Sequence, residues 1–215
     1  VEGTYKTAPG SATCTSCGGD AYFSPSGSDS EDDCVCAKGY QSQDASCVPC
    51  DNGKYNPSND ATCLNCHTQA TTSATASTLA TDCYCNAGYI GDGLTCTACA
   101  QGTYQDETGT TVCKNCDPNA QSDPASDAVT DCVCNAGYGG ADGDACTQCA
   151  AGTYEDITSN ACQTCPDNSI SPAASDDVTD CQCNAGYKGP DGGTCNHCLS
   201  DEYQNKKNDN SIPLS

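Results

Sequence analysis

Residues 83–99 read CYCNAGYIGDGLTCTAC and contain two of the three cysteine pairs that recur along the chain. The tight pair Cys83/Cys85 is repeated every 49 residues, as Cys34/Cys36, Cys132/Cys134 and Cys181/Cys183. The other two pairs, each with two residues between the cysteines, recur with nearly the same period: Cys47/Cys50, Cys96/Cys99, Cys146/Cys149 and Cys195/Cys198, and Cys14/Cys17, Cys63/Cys66, Cys113/Cys116 and Cys162/Cys165. These positions account for all 24 cysteines, and a fixed period of this length indicates a tandem repeat.

The composition favours disulfides over a large apolar core. Leu, Ile, Val and Phe together number 17 of 215 residues, which is too few to offset the entropy of ordering the chain. Cysteines make up about 11% of the chain, a proportion typical of disulfide scaffolds. Such scaffolds persist in oxidising compartments, so the sequence predicts a secreted or cell-surface protein.

We therefore predict a small disulfide-rich fold, an elongated tandem array of short β-hairpin modules with little regular secondary structure. Turn-forming pairs such as Asp92-Gly93 and Asp142-Gly143 are expected to form the turns between the strands. The predicted boundaries are a divergent first repeat with a truncated first loop at 1–49, further repeats at 50–98, 99–148 and 149–197, and a partial repeat with a C-terminal tail at 198–215.

The charge balance limits the partners. The chain carries no Arg and has a formal net charge of −22, so nucleic acid and anionic lipid, which need clustered cations, are poor partners. No apolar run approaches the ~20 residues of a membrane-spanning helix, so we expect no direct membrane span. An assembly of such chains would have to offset mutual repulsion, for which divalent cations are one candidate.

Nine of the 11 tyrosines occupy repeat positions, after each tight pair or after the second cysteine of the later pair. Aromatic side chains dominate burial in small modules, so packing is the favoured interpretation and a sugar-stacking platform is the alternative. These residues are Tyr40, Tyr89, Tyr138 and Tyr187, and Tyr5, Tyr55, Tyr104, Tyr154 and Tyr203.

Two segments resemble known extracellular modules. The run from Cys85 through Asn86-Ala87-Gly88-Tyr89 to Cys96 resembles the last loop of an epidermal-growth-factor-like domain. The run from Cys99 through Gly102-Thr103-Tyr104 to Cys113 resembles the first loop of tumour-necrosis-factor-receptor-like and ephrin-receptor-like repeats. Similar repeats occur in protist and algal surface proteins, including mastigoneme-type fibre proteins and ciliate surface antigens.

The resemblance implies a disulfide pairing, which spacing alone cannot supply. The implied bonds are Cys36–Cys47, Cys85–Cys96, Cys134–Cys146 and Cys183–Cys195, then Cys50–Cys63, Cys99–Cys113 and Cys149–Cys162, and finally Cys17–Cys34, Cys66–Cys83, Cys116–Cys132 and Cys165–Cys181. This scheme leaves Cys14 and Cys198 without partners. Either the chain is part of a longer array, or Cys198 of one molecule bonds to Cys14 of the next in a head-to-tail fibre.

Several kinds of chemistry are set aside on sequence grounds. Zinc is disfavoured because the acidic composition and the interleaved cysteine pairs fit a set of disulfides better than a zinc site. A thioredoxin-like redox role is disfavoured because the sequence predicts no βαβ scaffold to carry the active cysteine pair. His67 and His197 do not recur in the repeats and are expected to be exposed loop residues. No nucleophile and base cluster together, so the chain is predicted not to be an enzyme and to need no organic cofactor.

Calcium stays open as a cofactor. An Asp precedes every tight pair, at Asp33, Asp82, Asp131 and Asp180, and oxygen ligands in rigid loops suit calcium. The alternative, which we favour, is that these carboxylates cap turns by accepting backbone N–H groups.

The long Ser/Thr-rich loops are candidates for O-linked glycans, at Thr71, Thr72, Ser73 and Thr75, with a plain solvated loop as the equal alternative.

These observations favour a non-enzymatic structural subunit of an extracellular fibre, appendage or surface coat. Its partners would be copies of itself, head-to-tail or lateral, or other surface proteins. The alternative is a receptor or adhesion ectodomain that binds a protein ligand. That ectodomain would carry its ligand anchor in the divergent first repeat, near Tyr22 and Phe23.

Overall fold

A computed structural model describes residues 1–198 of the chain. Tyr203 and the predicted C-terminal tail lie outside the described residues. The chain divides into two compact units. The first comprises Val1–Lys114 and Asp123–Ala128, and the second comprises Asn115–Ser122 and the described chain from Val129 onward. The division falls inside the third predicted repeat, so the repeat boundaries stay a prediction.

The regular structure consists of short strands that pair with their neighbours in chain order, β1 with β2 and so on, to give twelve two-stranded sheets. The pairing is antiparallel, as in the β11–β12 hairpin where Tyr89 faces Ala98. The strands are β1 Thr4–Tyr5, β2 Thr15–Ser16, β3 Tyr22–Phe23, β4 Val35–Cys36, β5 Tyr40–Gln43, β6 Ser46–Pro49, β7 Lys54–Tyr55, β8 Leu64–Asn65, β9 Ala70–Thr72, β10 Cys83–Cys85, β11 Tyr89–Gly91, β12 Cys96–Ala98, β13 Thr103–Tyr104, β14 Lys114–Asn115, β15 Ala120–Gln121, β16 Val133–Cys134, β17 Tyr138–Gly139, β18 Thr147–Gln148, β19 Thr153–Asp156, β20 Ala161–Thr164, β21 Ser169–Ile170, β22 Gln182–Cys183, β23 Tyr187–Lys188 and β24 Asn196–His197.

Four single turns of 3₁₀ helix precede the tight cysteine pairs, at Glu31–Asp33, Ala80–Asp82, Val129–Asp131 and Val178–Asp180. Each ends on the Asp that the sequence singled out as a calcium candidate. Residues 1–198 contain no α-helix, and within that range no helix is long and apolar enough to cross a membrane.

Cysteine sulfur takes the place of an apolar core. The buried apolar residues are eleven half-cystines and Ala120, and Cys50, Cys85 and Cys149 are fully buried. Several large aliphatic side chains, among them Leu79 and Ile157, are instead exposed. The predicted class, a disulfide-rich tandem array of short hairpins with little regular secondary structure, is confirmed.

Eleven disulfides staple the hairpins, with Cα–Cα distances of 5.3 to 5.8 Å. They coincide with the eleven pairs that the resemblance implies. Cys14 and Cys198 are free and exposed, as that pairing leaves them.

Candidate protein-interaction site

The most regular feature of the molecule is the joint at which a Gly-Tyr loop meets the following repeat. A Cβ placed on Gly39 would lie 2.3 Å from the carbonyl oxygen of Ala76, so glycine is the one residue that fits this approach. The same approach recurs at Gly88 against Ala125 and at Gly137 against Ala174, each with a 2.4 Å contact. These joints each lie within one compact unit.

Backbone hydrogen bonds continue each joint into the next repeat. In the first joint Cys50 N donates to Gly39 O at 2.8 Å, and Ala76 N donates to Cys50 O at 2.8 Å. The equivalent bonds in the other two joints are Cys99 N to Gly88 O, Ala125 N to Cys99 O, Cys149 N to Gly137 O and Ala174 N to Cys149 O, at 2.8 to 2.9 Å. Because backbone atoms make these bonds, the joint can repeat while the exposed side chains vary.

One residue per joint holds the preceding loop, through its side chain or its backbone oxygen, and we call it the clamp residue: Asn56, Gln105 and Glu155. Asn56 is completely buried, and its Nδ2 donates to Tyr40 O at 2.7 Å and to Ala61 O at 2.9 Å. Its backbone oxygen accepts from Gly39 N at 2.9 Å.

The other two clamp residues also accept a hydrogen bond from the glycine N–H of the preceding loop, Gln105 with its backbone oxygen and Glu155 with its side chain. Gln105 is buried, its Nε2 donates to Val112 O, and its backbone oxygen accepts from Gly88 N at 2.7 Å. Glu155 instead accepts from Gly137 N through its carboxylate Oε2, also at 2.7 Å. Sequence reasoning missed these residues, although each directly follows a repeat tyrosine and so carried a positional signal.

The fourth Gly-Tyr loop begins its joint in the same way. Cys198 N donates to Gly186 O at 2.9 Å, as Cys50, Cys99 and Cys149 do in their joints. No described residue lies within 4 Å of a Cβ placed on Gly186. Across the β23–β24 hairpin the rings of Tyr187 and His197 are in contact, with their centroids 4.4 Å apart and their planes tilted by 34°. Among the described residues this loop therefore presents an open surface.

The first repeat carries the opposite half of a joint. Lys6, at the clamp position, donates its backbone N–H to Ser28 O at 3.1 Å, as Asn56 does to Ser77 O at 2.9 Å. Gly27 has a φ of +92° at the place where Ala76 and Ala125 have +58° and +64°. This surface contains an open cavity of about 450 Å³, whose lining residues include Lys6, Gly27, Ser28 and Cys14.

Three of the four calcium candidates, Asp33, Asp82 and Asp180, cap turns with a carboxylate oxygen. Asp82 Oδ2 accepts from the N–H groups of Thr78 and Leu79 at 3.0 and 2.9 Å. Asp33 Oδ2 accepts from Asp29 and Ser30, Asp180 Oδ2 accepts from Asp176, and Asp131 ends the equivalent turn. Over residues 1–198 no three His, Cys, Asp or Glu side chains gather as a metal site. The geometry favours turn capping, and calcium binding stays a prediction.

The predicted glycan positions differ in accessibility. Ser73 and Thr75 are exposed, whereas Thr71 is half-buried in β9. Thr72 is 2% exposed, and its hydroxyl donates to Ala74 O at 2.9 Å and accepts from Gly53 N at 3.2 Å. The prediction of a glycan at Thr72 is therefore wrong for the folded chain, because a buried, bonded hydroxyl leaves no room for a sugar.

Other predicted residues are placed differently from expectation. His67 is half-buried, and its Nδ1 accepts from Gln69 N at 3.2 Å, so it is a turn residue and not an exposed one. His197 is exposed but lies in strand β24. Tyr22 and Phe23 form strand β3 and are half-buried, and a ligand anchor in the first repeat stays a prediction. The repeat tyrosines within residues 1–198 are all half-buried, in line with the packing interpretation.

Hydrogen bonds and one cation perturb a few exposed carboxyl groups. The N–H groups of Thr95 and then Leu94 hold the pKa of Asp92 below its ordinary value. The hydrogen bond from Lys114 Nζ, at 2.5 Å, lowers the pKa of Asp106 in the same way. These groups stabilise local turns and hairpins, and none of them lines the joints.

One comparison bears on the kind of repeat. Residues 88–132 match the family described as tyrosine-protein kinase ephrin type A/B receptor-like. The matched segment runs from Gly88 of one joint to Cys132 and includes the clamp residue Gln105. A search of curated proteins found no match. Residues 88–132 are thus similar to a cysteine-rich ephrin-receptor-like repeat, and they lie in a chain stapled by eleven disulfides, which are typical of extracellular proteins.

Proposed function

We propose that this chain is a non-enzymatic structural subunit of an extracellular fibre, appendage or surface coat. The observation that carries the proposal is the joint built three times from the same backbone contacts, at Gly39, Gly88 and Gly137. A joint that depends on glycine and backbone atoms can be repeated without a specific side chain at the surface. Such a unit extends by addition, as structural arrays do.

The stabilising chemistry supports the same role. Disulfides shrink the unfolded ensemble of each module and do not depend on a large core, so each repeat is stapled on its own. The high negative charge keeps single chains apart until contacts or counterions offset the repulsion. The partners proposed are copies of the chain or other surface proteins, with O-linked glycans on exposed positions such as Ser73 and Thr75.

A receptor or adhesion ectodomain is the second candidate. It is supported by the match of residues 88–132 to an ephrin-receptor-like family. It is also supported by Ile157, which is 83% exposed in the turn of the β19–β20 hairpin and offers an apolar anchor that the other repeats lack at this position. Its ligand would be a protein that buries Ile157.

Location and extraction distinguish the two candidates. We expect immunogold labelling of native material to place the chain along extracellular fibres or a coat. We also expect the chain to stay insoluble in detergent until a reducing agent is added. A detergent-soluble chain that captures a protein ligand would overturn the structural role. Ile157→Asp would then abolish capture, and Val112→Asp, at an exposed position in the preceding repeat, is the matched control.

A further inference from the structure

We propose that the third joint, where the Gly137 loop meets the repeat that follows it, is sensitive to acid: protonation of Glu155 loosens it, while the two earlier joints keep their contacts. The whole of this joint lies within the second compact unit. The inference goes beyond the proposed function, because it concerns how one joint responds to pH. It applies equally to a structural subunit and to an ectodomain.

The three joints differ in the atom that accepts the glycine N–H of the preceding loop. In the first two joints the acceptor is the backbone oxygen of the clamp residue, Asn56 at 2.9 Å and Gln105 at 2.7 Å. In the third joint Gly137 N donates to the carboxylate Oε2 of Glu155 at 2.7 Å. A peptide carbonyl does not titrate, whereas a carboxylate takes up a proton in acid. Acid can therefore change this bond in the third joint and not in the other two.

The difference follows from where the strand before the clamp residue ends. Strands β7 and β13 end at Tyr55 and Tyr104, one residue before the clamp residue. Strand β19 instead continues through Glu155, which pairs with Cys162 of β20. The backbone of Glu155 is thus part of the β19–β20 hairpin, and its side chain supplies the acceptor for Gly137 N.

Ionisation strengthens this contact, and protonation weakens it. A hydrogen bond to an ionised acceptor is roughly twice as strong as a bond between neutral groups. The protonated carboxyl is neutral, and one of its oxygens carries a donor proton. The bonds from Cys149 N to Gly137 O and from Ala174 N to Cys149 O, at 2.9 and 2.8 Å, use backbone atoms and do not titrate. Acid is therefore expected to loosen the third joint without releasing it.

The 3₁₀ turn that packs against β19, together with the residues before it, carries three carboxyl groups. Asp180 Oδ2 accepts from Asp176 N at 3.2 Å, and Asp177 Oδ1 accepts from Thr179 N at 2.8 Å. The hydroxyl and then the N–H of Thr179 hold the pKa of Asp177 below its ordinary value. The side chain of Asp176 is exposed. Acid acts on Asp180 and Asp177 within their own turn, so their titration has to be separated from that of Glu155.

The other elements at the joint add few titratable groups. The phenols of Tyr138 and Tyr154 stay neutral in acid, and strand β20 carries no titratable side chain. Asp156 accepts hydrogen bonds within the turn of the β19–β20 hairpin. Asp142 Oδ1 accepts from Asn160 Nδ2 at 2.8 Å, which makes it a second carboxylate that bonds to the following repeat. This second contact provides the matched control for Glu155.

The test follows amide hydrogen exchange by NMR on the 215-residue chain with its disulfides intact, from about pH 6.5 to about pH 3, the range over which carboxyl groups protonate. The protection factors of Gly137, Gly39 and Gly88 are compared in the same sample, after correction for the intrinsic exchange rate at each pH. We expect the protection factor of Gly137 to fall about fivefold as a charge-assisted bond becomes a neutral one. Those of Gly39 and Gly88 should change by less than about twofold, because their acceptors do not titrate.

Two variants assign the effect to one carboxylate. Glu155→Gln keeps an oxygen acceptor that cannot take up a proton, so the protection of Gly137 should already be about fivefold lower at neutral pH and fall no further in acid. Asp142→Ala removes the second carboxylate contact and should retain the pH response of the unchanged chain.

A protection factor of Gly137 that does not change with pH in the unchanged chain overturns the proposal. So does an equal fall at all three glycines, which would mean that acid destabilises the chain as a whole. A pH response that persists in Glu155→Gln would also overturn it, because a neighbouring carboxylate would then cause the response. The immunogold result does not depend on these readouts, so the structural role and the acid-sensitive joint can fail separately.

Discussion

Asn56 joins two repeats through a single buried amide. Its Nδ2 satisfies carbonyl oxygens on both sides of the joint, and its Oδ1 accepts from Ser58 N at 3.1 Å. A buried polar group is stabilising when all its partners are satisfied and costly when one partner is removed. The strength of the joint therefore resides in hydrogen-bond complementarity and owes little to apolar area.

Asn56→Ala should destabilise the folded chain by about 1–3 kcal/mol, because the carbonyl oxygens of Tyr40 and Ala61 lose their donor. The free energy of unfolding from urea titration, with disulfides intact, measures the effect. Asn65→Ala removes the same amide at an exposed strand position and should change little. Equal losses in both variants would contradict the clamp role.

Asp92 contributes to the stability of the folded chain in a way that depends on pH. Because backbone N–H groups of Thr95 and Leu94 lower its pKa when folded, the carboxylate stabilises the turn above the unfolded pKa of about 3.9. This contribution disappears as the pH falls through the lowered folded pKa. The difference in Tm between the unchanged chain and Asp92→Asn should thus be largest near neutral pH and shrink below about pH 3.9. A difference that grows in acid would show the opposite linkage.

At the scale of elements, a stapled hairpin replaces a larger sheet. Two-residue strands supply too few hydrogen bonds to be stable alone, and an isolated hairpin is marginal in water. The disulfide closing each loop and the 3₁₀ turn before each tight pair provide the missing constraint. Asp82 caps that turn through two backbone N–H groups, so its carboxylate is already engaged without a cation.

Calcium titration separates capping from ligation. We expect 1 mM-scale calcium, the range of weak extracellular sites, to leave the Tm unchanged, and Asp82→Ala to lower stability by about 0.5–2 kcal/mol as a lost cap does. Asp20→Ala, at an exposed position, serves as the control. A rise in Tm with calcium that Asp82→Ala alone abolishes would establish a metal site.

At the scale of the whole molecule, charge and covalent staples dominate. A net charge of −22 on 215 residues makes each copy repel the next, whereas the disulfides maintain the fold at any ionic strength. Folding and association should therefore respond to different variables.

Association of the chain should strengthen as salt rises from 0.01 to 0.15 M, because the Debye length falls from about 30 to about 8 Å and screens the repulsion. Sedimentation velocity measures the shift, and far-ultraviolet circular dichroism checks that the fold is unchanged. Weaker association at the higher salt would mean that attractive ion pairs between copies of the chain control their association.

The sequence alone determined the repeat, the disulfide-rich class and the turn-forming character of Asp33, Asp82 and Asp180, because cysteine spacing and Asp chemistry are local and periodic. It did not reveal that Thr72 is buried, that Phe23 lies in a strand, or that Asn56 and Gln105 clamp the joints. Those properties depend on which backbone approaches which side chain from a neighbouring repeat. Only the tertiary structure decided them, since a contact between residues about twenty or more apart, such as Gly39 against Ala76, is made by packing and leaves no mark in local composition.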